Sequence, residues 1–187
     1  MYQVFYKKKI ILLTDVIDEG KDLILFPIKD VKLKKIIKSL NKKNTNSVHL
    51  YHKNKDKLLK YFFKLIPTVI AAGGKITNSK SEVLFIFRNE KWDLPKGKAE
   101  KNEQLPQTAL REVKEETGIE EVSISKPLDI TYHIFRRNGE YKLKVTYWFD
   151  MFSDYKGKLF PQLDEGITDV RWIKKGDLQK VKTTSYP

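Results

Sequence analysis

Residues 97–119 constrain this chain more than any other stretch, because carboxylates at regular spacing lie there between two glycines. Glu112, Glu115 and Glu116 are spaced at i, i+3 and i+4, so a helix would direct all three side chains to one patch. Like charges at this spacing repel by about 0.2–0.5 kcal/mol per pair unless something neutralises them. One interpretation is a solvated acidic helix face, and the other is a site for a hard divalent cation.

The residues around these glutamates favour the second interpretation. Their pattern, Gly-x5-Glu-x7-Arg-Glu-U-x-Glu-Glu-x-Gly-U with U a bulky aliphatic residue, resembles the Nudix box. The residues at its fixed positions are Gly97, Glu103, Arg111, Glu112, Val113, Glu115, Glu116, Gly118 and Ile119. Chance would reproduce the single-residue identities among them in roughly one of a hundred million windows. The resemblance implies a Nudix pyrophosphohydrolase, with a mixed sheet between helices in an α/β/α sandwich.

The resemblance also implies roles for individual residues. The three glutamates correspond to the carboxylate ligands of the family's metal ions, and the Lys96 carbonyl would add a backbone ligand. Arg111 and Glu103 correspond to a supporting pair, and Arg111 would also reduce the repulsion among the glutamates. The implied cofactor is Mg²⁺ or Mn²⁺, which neutralises a pyrophosphate and activates the attacking water.

A general base is expected outside the box, on a late loop. Asp164 and Glu165, in the segment Leu163-Asp-Glu-Gly166, fit that position, and Glu165 is the favoured base. An exposed turn with two acids and a glycine explains the same residues equally well, because turns favour such residues in any case.

The substrate is less constrained than the reaction. The segment from Trp92 to Lys98 resembles the branch of MutT-type, dinucleoside-polyphosphate and diphosphoinositol-polyphosphate hydrolases. In that branch, Lys96 and Lys98 would offer positive charges to a long phosphate chain. His133 and Lys144 on later strands are further candidates for substrate binding. A histidine packed in the sheet core is equally compatible with the alternation around His133.

These features predict metal-dependent hydrolysis of a phosphoanhydride bond in a nucleoside diphosphate linked to another group. A dinucleoside polyphosphate or a nucleoside triphosphate is the favoured substrate. Removal of pyrophosphate from RNA 5′ ends is an alternative with the same chemistry. A further alternative is a ligand-sensing regulator with a basic, nucleic-acid-contacting N-terminal domain. The complete box and the lack of a readable helix-turn-helix argue against that alternative.

Charge divides the chain into two parts. Residues 1–66 contain 16 lysines and 6 acidic residues, whereas residues 67–187 contain 21 basic and 18 acidic residues. We expect a small basic α/β domain of unknown role over 1–66 and the Nudix hydrolase domain over 67–187. The lysines would attract phosphate-rich partners, but the strong preference for Lys over Arg also indicates a compositional bias. Contact with nucleic acid is therefore not favoured, and a homodimer is left open.

The expected location is the cytoplasm. The chain has no cysteine, which excludes disulfides and thiolate metal sites. No apolar run approaches the ~18 residues of a membrane-spanning helix, and the N-terminus lacks the hydrophobic region of a signal peptide.

Periodicity and turn residues predict the elements of an α/β fold. Strands are expected over residues 2–6, 10–14, 22–28, 48–52, 69–74, 82–88, 122–125, 130–136, 141–152 and 169–173. Helices are expected over residues 31–42, 56–65 and 105–117. A turn at Asp18–Lys21, a hairpin turn at Asn138–Gly139 and a frayed end after Lys182 are also predicted. Pro95 and Gly97 predict a loop before the acidic helix.

Overall fold

The computed structural model describes residues 1–17 and 23–182. The predicted turn at Asp18–Lys21 and the predicted frayed end after Lys182 lie outside these residues. Contacts divide the chain into a first unit, residues 1–69 with 131–145, and a second unit, residues 70–130 with 146–186. The segment 131–145, which the sequence assigned to the second domain, thus groups with the N-terminal residues.

The described residues form strands and helices in an α/β arrangement. The strands are β1 (Tyr2–Tyr6), β2 (Lys9–Thr14), β3 (Leu25–Pro27), β4 (Ser47–Tyr51), β5 (Thr68–Thr77), β6 (Val83–Arg88), β7 (Lys91–Asp93), β8 (Lys96–Lys98), β9 (Ser123–Pro127), β10 (Thr131–Arg137), β11 (Glu140–Phe152) and β12 (Ile167–Ile173). The α-helices are α1 (Leu33–Leu40), α2 (Asp56–Leu65), α3 (Leu105–Thr117) and α4 (Leu178–Lys182). Short 3₁₀ turns cover Leu163–Glu165 and Lys175–Asp177.

The first unit is built on strands in the order β10-β1-β2-β4-β3. The strands β1 and β2 form an antiparallel hairpin, and Lys7 in its turn has φ 56°. The pairs β1 with β10, β2 with β4 and β3 with β4 are parallel, so the pairing is mixed. Val4, Ile11 and Leu50 are fully buried on these strands. The predicted turn at Asn138–Gly139 is confirmed by positive φ angles of 51° and 82°.

The second unit has the strand order β12-β6-β5-β11, and β7, β8 and β9 pair with β6, β5 and β11 respectively. Ile76, Leu84, Ile86 and Val113 are fully buried in its core. The prediction of a loop through Pro95 and Gly97 was wrong, because residues 96–98 form β8 against Ala71–Gly73. This pairing depends on the absence of a side chain at Gly73, because a Cβ there would lie only 2.3 Å from the Pro95 carbonyl oxygen.

The helix α3 has the bounds that the sequence predicted. At its start, the side chains of Gln104 and Gln107 accept hydrogen bonds from each other's backbone N–H, which satisfies two amides that lack helical partners. At its end, Gly118 adopts a left-handed φ of 71° and donates its N–H to the Lys114 carbonyl at 2.8 Å. Ala109 and Val113 bury one face of the helix in the core, and Glu112 and Glu116 are also buried.

The predicted α/β class with a mixed sheet is therefore confirmed. Among the helices of residues 1–17 and 23–182, none has both the length and the apolar content that a membrane crossing requires.

Candidate active site

Glu116 is the most deeply buried charged residue of the acidic patch on α3. Its side chain has no exposed surface, and Oε2 accepts a hydrogen bond of 2.7 Å from the Lys96 backbone N–H. Its other oxygen, Oε1, accepts no hydrogen bond within the described residues. The nearest cation is Arg88, whose Nη1 lies 3.9 Å from Oε1. A buried carboxylate oxygen without a donor is costly, so this oxygen is suited to a ligand that supplies positive charge.

Burial and neighbouring groups shift the pKa values of the carboxyl groups in this patch. Burial raises the pKa of Glu116 to about 7, although Lys96 opposes the shift. Burial also raises the pKa of Glu112, against the effect of Arg111. Hydrogen bonds from Arg111 lower the pKa of Glu103 to about 2. The pKa values of Glu116 and Glu103 are thus shifted in opposite directions, upward by burial and downward by hydrogen bonds from Arg111.

The Arg111 guanidinium contacts three of the carboxylates that were predicted to bind or support a metal ion. It donates two hydrogen bonds to Glu103, from Nε at 2.8 Å and from Nη2 at 3.0 Å. Its Nη1 donates to Glu112 at 2.8 Å and to Glu115 at 3.0 Å, and Nη2 also donates to the Lys98 carbonyl. The guanidinium therefore holds Glu103 in a paired arrangement and offsets the repulsion between Glu112 and Glu115.

Gly97 leaves the space that the Glu112 carboxylate occupies. A Cβ at this position would lie 1.8 Å from Glu112 Oε2, which no real side chain tolerates. The φ angle of Gly97 is not in the left-handed region, so this position needs glycine for the close approach of Glu112. Gly118, by contrast, needs glycine for its left-handed backbone angle. The strand β8 thereby brings its backbone against the Glu112 carboxylate.

The two lysines predicted to bind phosphate have different surroundings. The Lys96 ammonium forms an ion pair with Asp93 at 2.7 Å, and 14% of its side chain is exposed. Lys98 is exposed. Substrate binding by Lys96 and Lys98 stays a prediction, with Lys98 the more accessible of the two.

The predicted base, Glu165, is linked to the acidic patch by Arg88, a residue that no sequence pattern singled out. Glu165 ends the 3₁₀ turn Leu163–Glu165, and its Oε2 accepts a hydrogen bond of 3.2 Å from Arg88 Nη1. Asp164, the other candidate, is exposed. Arg88 was missed because a single arginine at the end of an apolar strand carries no local signal of function.

His133 and Lys144 belong to the first unit. The His133 ring stacks on Phe5 at a centroid distance of 5.1 Å, and Lys144 Nζ lies 5.6 Å from the centre of the Phe135 ring. Their contribution to a substrate site stays a prediction.

The acidic patch has some of the features that a divalent-cation site requires. Across the described residues, no three His, Asp or Glu side chains are already arranged around a common point as a metal site. Two features nevertheless fit a hard cation: the unpaired buried oxygen of Glu116, and the backbone of Gly97 packed on Glu112. That Glu112, Glu115, Glu116 and the Lys96 carbonyl hold the cation stays a prediction.

A family model described as the NUDIX domain matches residues 67–186, starting where the second domain was predicted to start. The chain belongs to the Nudix family. The predicted enzyme class, a Nudix pyrophosphohydrolase, is confirmed at this general level. Within the Nudix box, a side chain would meet steric overlap at Gly97, and both overlap and backbone strain at Gly118.

Solved structures with similar folds include further Nudix proteins. A MutT protein from Methanosarcina mazei Go1 is 27% identical over 65% of this chain and 86% of its own, with a TM-score of 0.45. An Ap4A hydrolase from C. elegans is 22% identical over 62% of this chain and 86% of its own, with a TM-score of 0.45. A NUDIX hydrolase from Nitrosomonas europaea is 21% identical over 64% of this chain and 81% of its own, with a TM-score of 0.48.

Proposed function

We propose that this Nudix protein catalyses metal-dependent hydrolysis of a phosphoanhydride bond in a nucleoside diphosphate linked to another group. The observation that carries the proposal is the buried oxygen of Glu116, which has no hydrogen-bond donor and faces the guanidinium of Arg88 at 3.9 Å. A carboxylate in this state favours a bound cation, and a pyrophosphate substrate would require one.

The proposed ligands of Mg²⁺ or Mn²⁺ are Glu112, Glu115, Glu116 and the carbonyl oxygen of Lys96. When bound, the cation would neutralise phosphoryl charge and lower the pKa of a water molecule. Hydrogen bonds from the Lys96 backbone and from Arg111 already orient these carboxylates, so they are held in position to bind a cation.

The chain's other residues have separate proposed roles. Arg111 holds Glu112 and Glu115 while it is anchored on Glu103, so the pair fixes the direction of the ligand carboxylates. Glu165 is the proposed general base, which accepts a proton from the attacking water. A side chain that is 48% exposed on a late loop is accessible to such a water.

The proposed substrate is a dinucleoside polyphosphate or a nucleoside triphosphate. Support comes from the segment Trp92–Lys98, with its resemblance to hydrolases of long phosphate chains, and from the exposed Lys98 beside the Nudix box. A compact ammonium on a flexible stem suits a mobile polyphosphate.

A substrate panel tests the proposal. Dinucleoside polyphosphates, nucleoside triphosphates, ADP-ribose and 5′-triphosphorylated RNA are incubated with Mg²⁺ or Mn²⁺, and products formed in ¹⁸O-water are identified by mass spectrometry. We expect cleavage of a dinucleoside polyphosphate or a triphosphate, with no turnover in EDTA.

Preferred turnover of the RNA would replace the proposed substrate with RNA 5′ ends. No turnover of any compound by folded protein, together with salt-resistant DNA binding in a gel-shift titration, would favour a regulator and contradict the proposal.

A further inference from the structure

Arg88 occupies a position where two distant parts of the second unit meet. It is the last residue of β6, and its Cα is paired with that of Ile167 at the start of β12. The turn Leu163–Glu165 and Gly166, which has a φ of 73°, precede this strand directly. The register of β6 and β12 therefore places the Arg88 side chain beside the loop that carries Glu165.

The Arg88 guanidinium also lies between two carboxylates. Nη1 is 3.2 Å from Glu165 Oε2 and 3.9 Å from Glu116 Oε1, and 34% of the Arg88 side chain is exposed. Within the described residues, the Glu165 side chain forms hydrogen bonds and ion pairs with Arg88 and with no other group. An exposed glutamate on a turn would otherwise sample several rotamers, and Arg88 selects among them.

We propose that Arg88 is a positioning residue, which holds the Glu165 carboxylate next to Glu116 and acts on the reaction through Glu165. This inference rests on the proposed function, in which Glu165 is the base. A base that is misplaced by about 1 Å can lose up to about a hundredfold in rate, so the orientation of this carboxylate matters. The contrasting role for Arg88 would be direct contact with a substrate phosphate.

A double-mutant cycle separates the two roles. The variants Arg88→Gln, Glu165→Gln and the double variant are assayed with diadenosine tetraphosphate at saturating Mg²⁺. We expect kcat to fall about tenfold for Arg88→Gln and about a hundredfold for Glu165→Gln, with KM changed by less than about threefold. The double variant should stay within about threefold of Glu165→Gln, because Arg88 has no base left to position.

Two further variants complete the kinetic test. Arg88→Lys keeps a cation at the site and should have a kcat nearer to wild type than Arg88→Gln has. Arg171→Gln removes an exposed arginine of β12 that pairs with Asp169, and it should leave kcat unchanged. Multiplied losses in the double variant, or a large rise in KM for Arg88→Gln, would assign Arg88 to the substrate and overturn the inference.

Hydrogen exchange of the metal-free protein gives a readout that does not need activity. The peptide covering residues 162–168 should exchange severalfold faster in Arg88→Gln and in Glu165→Gln, to the same extent, but not in Arg171→Gln. Unchanged exchange in Arg88→Gln would contradict the positioning role. If the wild type hydrolysed none of the proposed substrates, the proposed function would fail, while this exchange measurement would still decide whether Arg88 holds the loop.

Discussion

The two units use charged side chains in different ways. Every ion pair within 4.0 Å between described residues lies in the second unit, including those of Arg88 and Arg111. In the first unit, Lys9 Nζ instead donates to the carbonyl oxygens of Leu40 and Lys42, at 2.6 and 2.8 Å. The first unit nevertheless contains most of the chain's excess positive charge.

The difference follows from where the carboxylates lie. Buried glutamates on α3 require cations, because burial disfavours the ionised form of a carboxyl group. In the first unit, the Lys9 ammonium instead has carbonyl partners, and the Lys35 ammonium lies 4.8 Å from the centre of the Phe26 ring. Changes of charge at the α3 glutamates should therefore affect catalysis, whereas changes at Lys9 and Lys35 should affect only stability.

The largest expected effect is on Glu116. Glu116→Gln should lower kcat by about a thousandfold, since the amide removes a negative charge from the proposed cation site. Steady-state assays with Mg²⁺ on the best substrate of the panel would measure this, with Glu120→Gln, an exposed acid beyond α3, as the control. A folded Glu116→Gln protein with nearly wild-type turnover would remove Glu116 from the site.

The raised pKa of Glu116 predicts a pH dependence of stability in the absence of metal. The folded state binds this proton more tightly than the unfolded state, because the pKa rises from 4.5 to about 7. The contribution of Glu116 to the free energy of unfolding should therefore be fully present below about pH 4.5 and fall by about 3 kcal/mol as the pH rises to above 7.

Urea denaturation in EDTA between pH 5 and 8 would measure this slope, and the difference between wild type and Glu116→Gln isolates the contribution of Glu116. Added Mg²⁺ should restore stability at pH 8 in the wild type. Parallel curves for the two proteins would show that the buried carboxyl is not the cause.

In the first unit, Lys9→Met should lower the free energy of unfolding by about 1–2 kcal/mol. The substitution removes the donor to two carbonyl oxygens at the C-terminal end of α1, where a cation also complements the helix dipole. Denaturation midpoints measure the effect, and Lys8→Met, at an exposed neighbouring position, is the control. A loss of kcat in Lys9→Met at a temperature where the variant is folded would show that this lysine of the first unit also affects catalysis.

The smallest expected effect concerns Lys35. Lys35→Gln should destabilise the protein by about 0.5 kcal/mol, since an exposed cation over an aromatic ring contributes little in water. Lys34→Gln, on an exposed position of the same helix, should have no measurable effect. A loss above about 1.5 kcal/mol would show that the lysines of this unit have a larger structural role than surface packing.

The Nudix box region was predictable because its signals are local. The bounds of α3 follow from signals within a few residues, and the pairing of Arg111 with Glu103 was implied by the resemblance to the Nudix box. Most strands were predicted for the same reason, since alternation and turn residues are visible within short windows.

Contacts between distant residues were not predictable from one sequence. Arg88 and Glu165 are separated by 77 positions, and only the register of β6 and β12 brings them together. The parallel pairing of β1 with β10 likewise has no local signal, so the grouping of residues 131–145 with the N-terminal residues was missed. The short strand β8 pairs with a segment of β5 that includes Gly73. A loop prediction that uses only Pro95 and its neighbours cannot detect this pairing.

The space at Gly97 has a consequence for relatives of this protein. Because Glu112 Oε2 fills the volume where a Cβ would stand, even alanine at position 97 would displace that carboxylate or the loop backbone. A homologue that keeps every acidic residue but gains a methyl group here should therefore have lost its catalytic function while still folding. Such a loss of function would not be visible in a count of the homologue's glutamates.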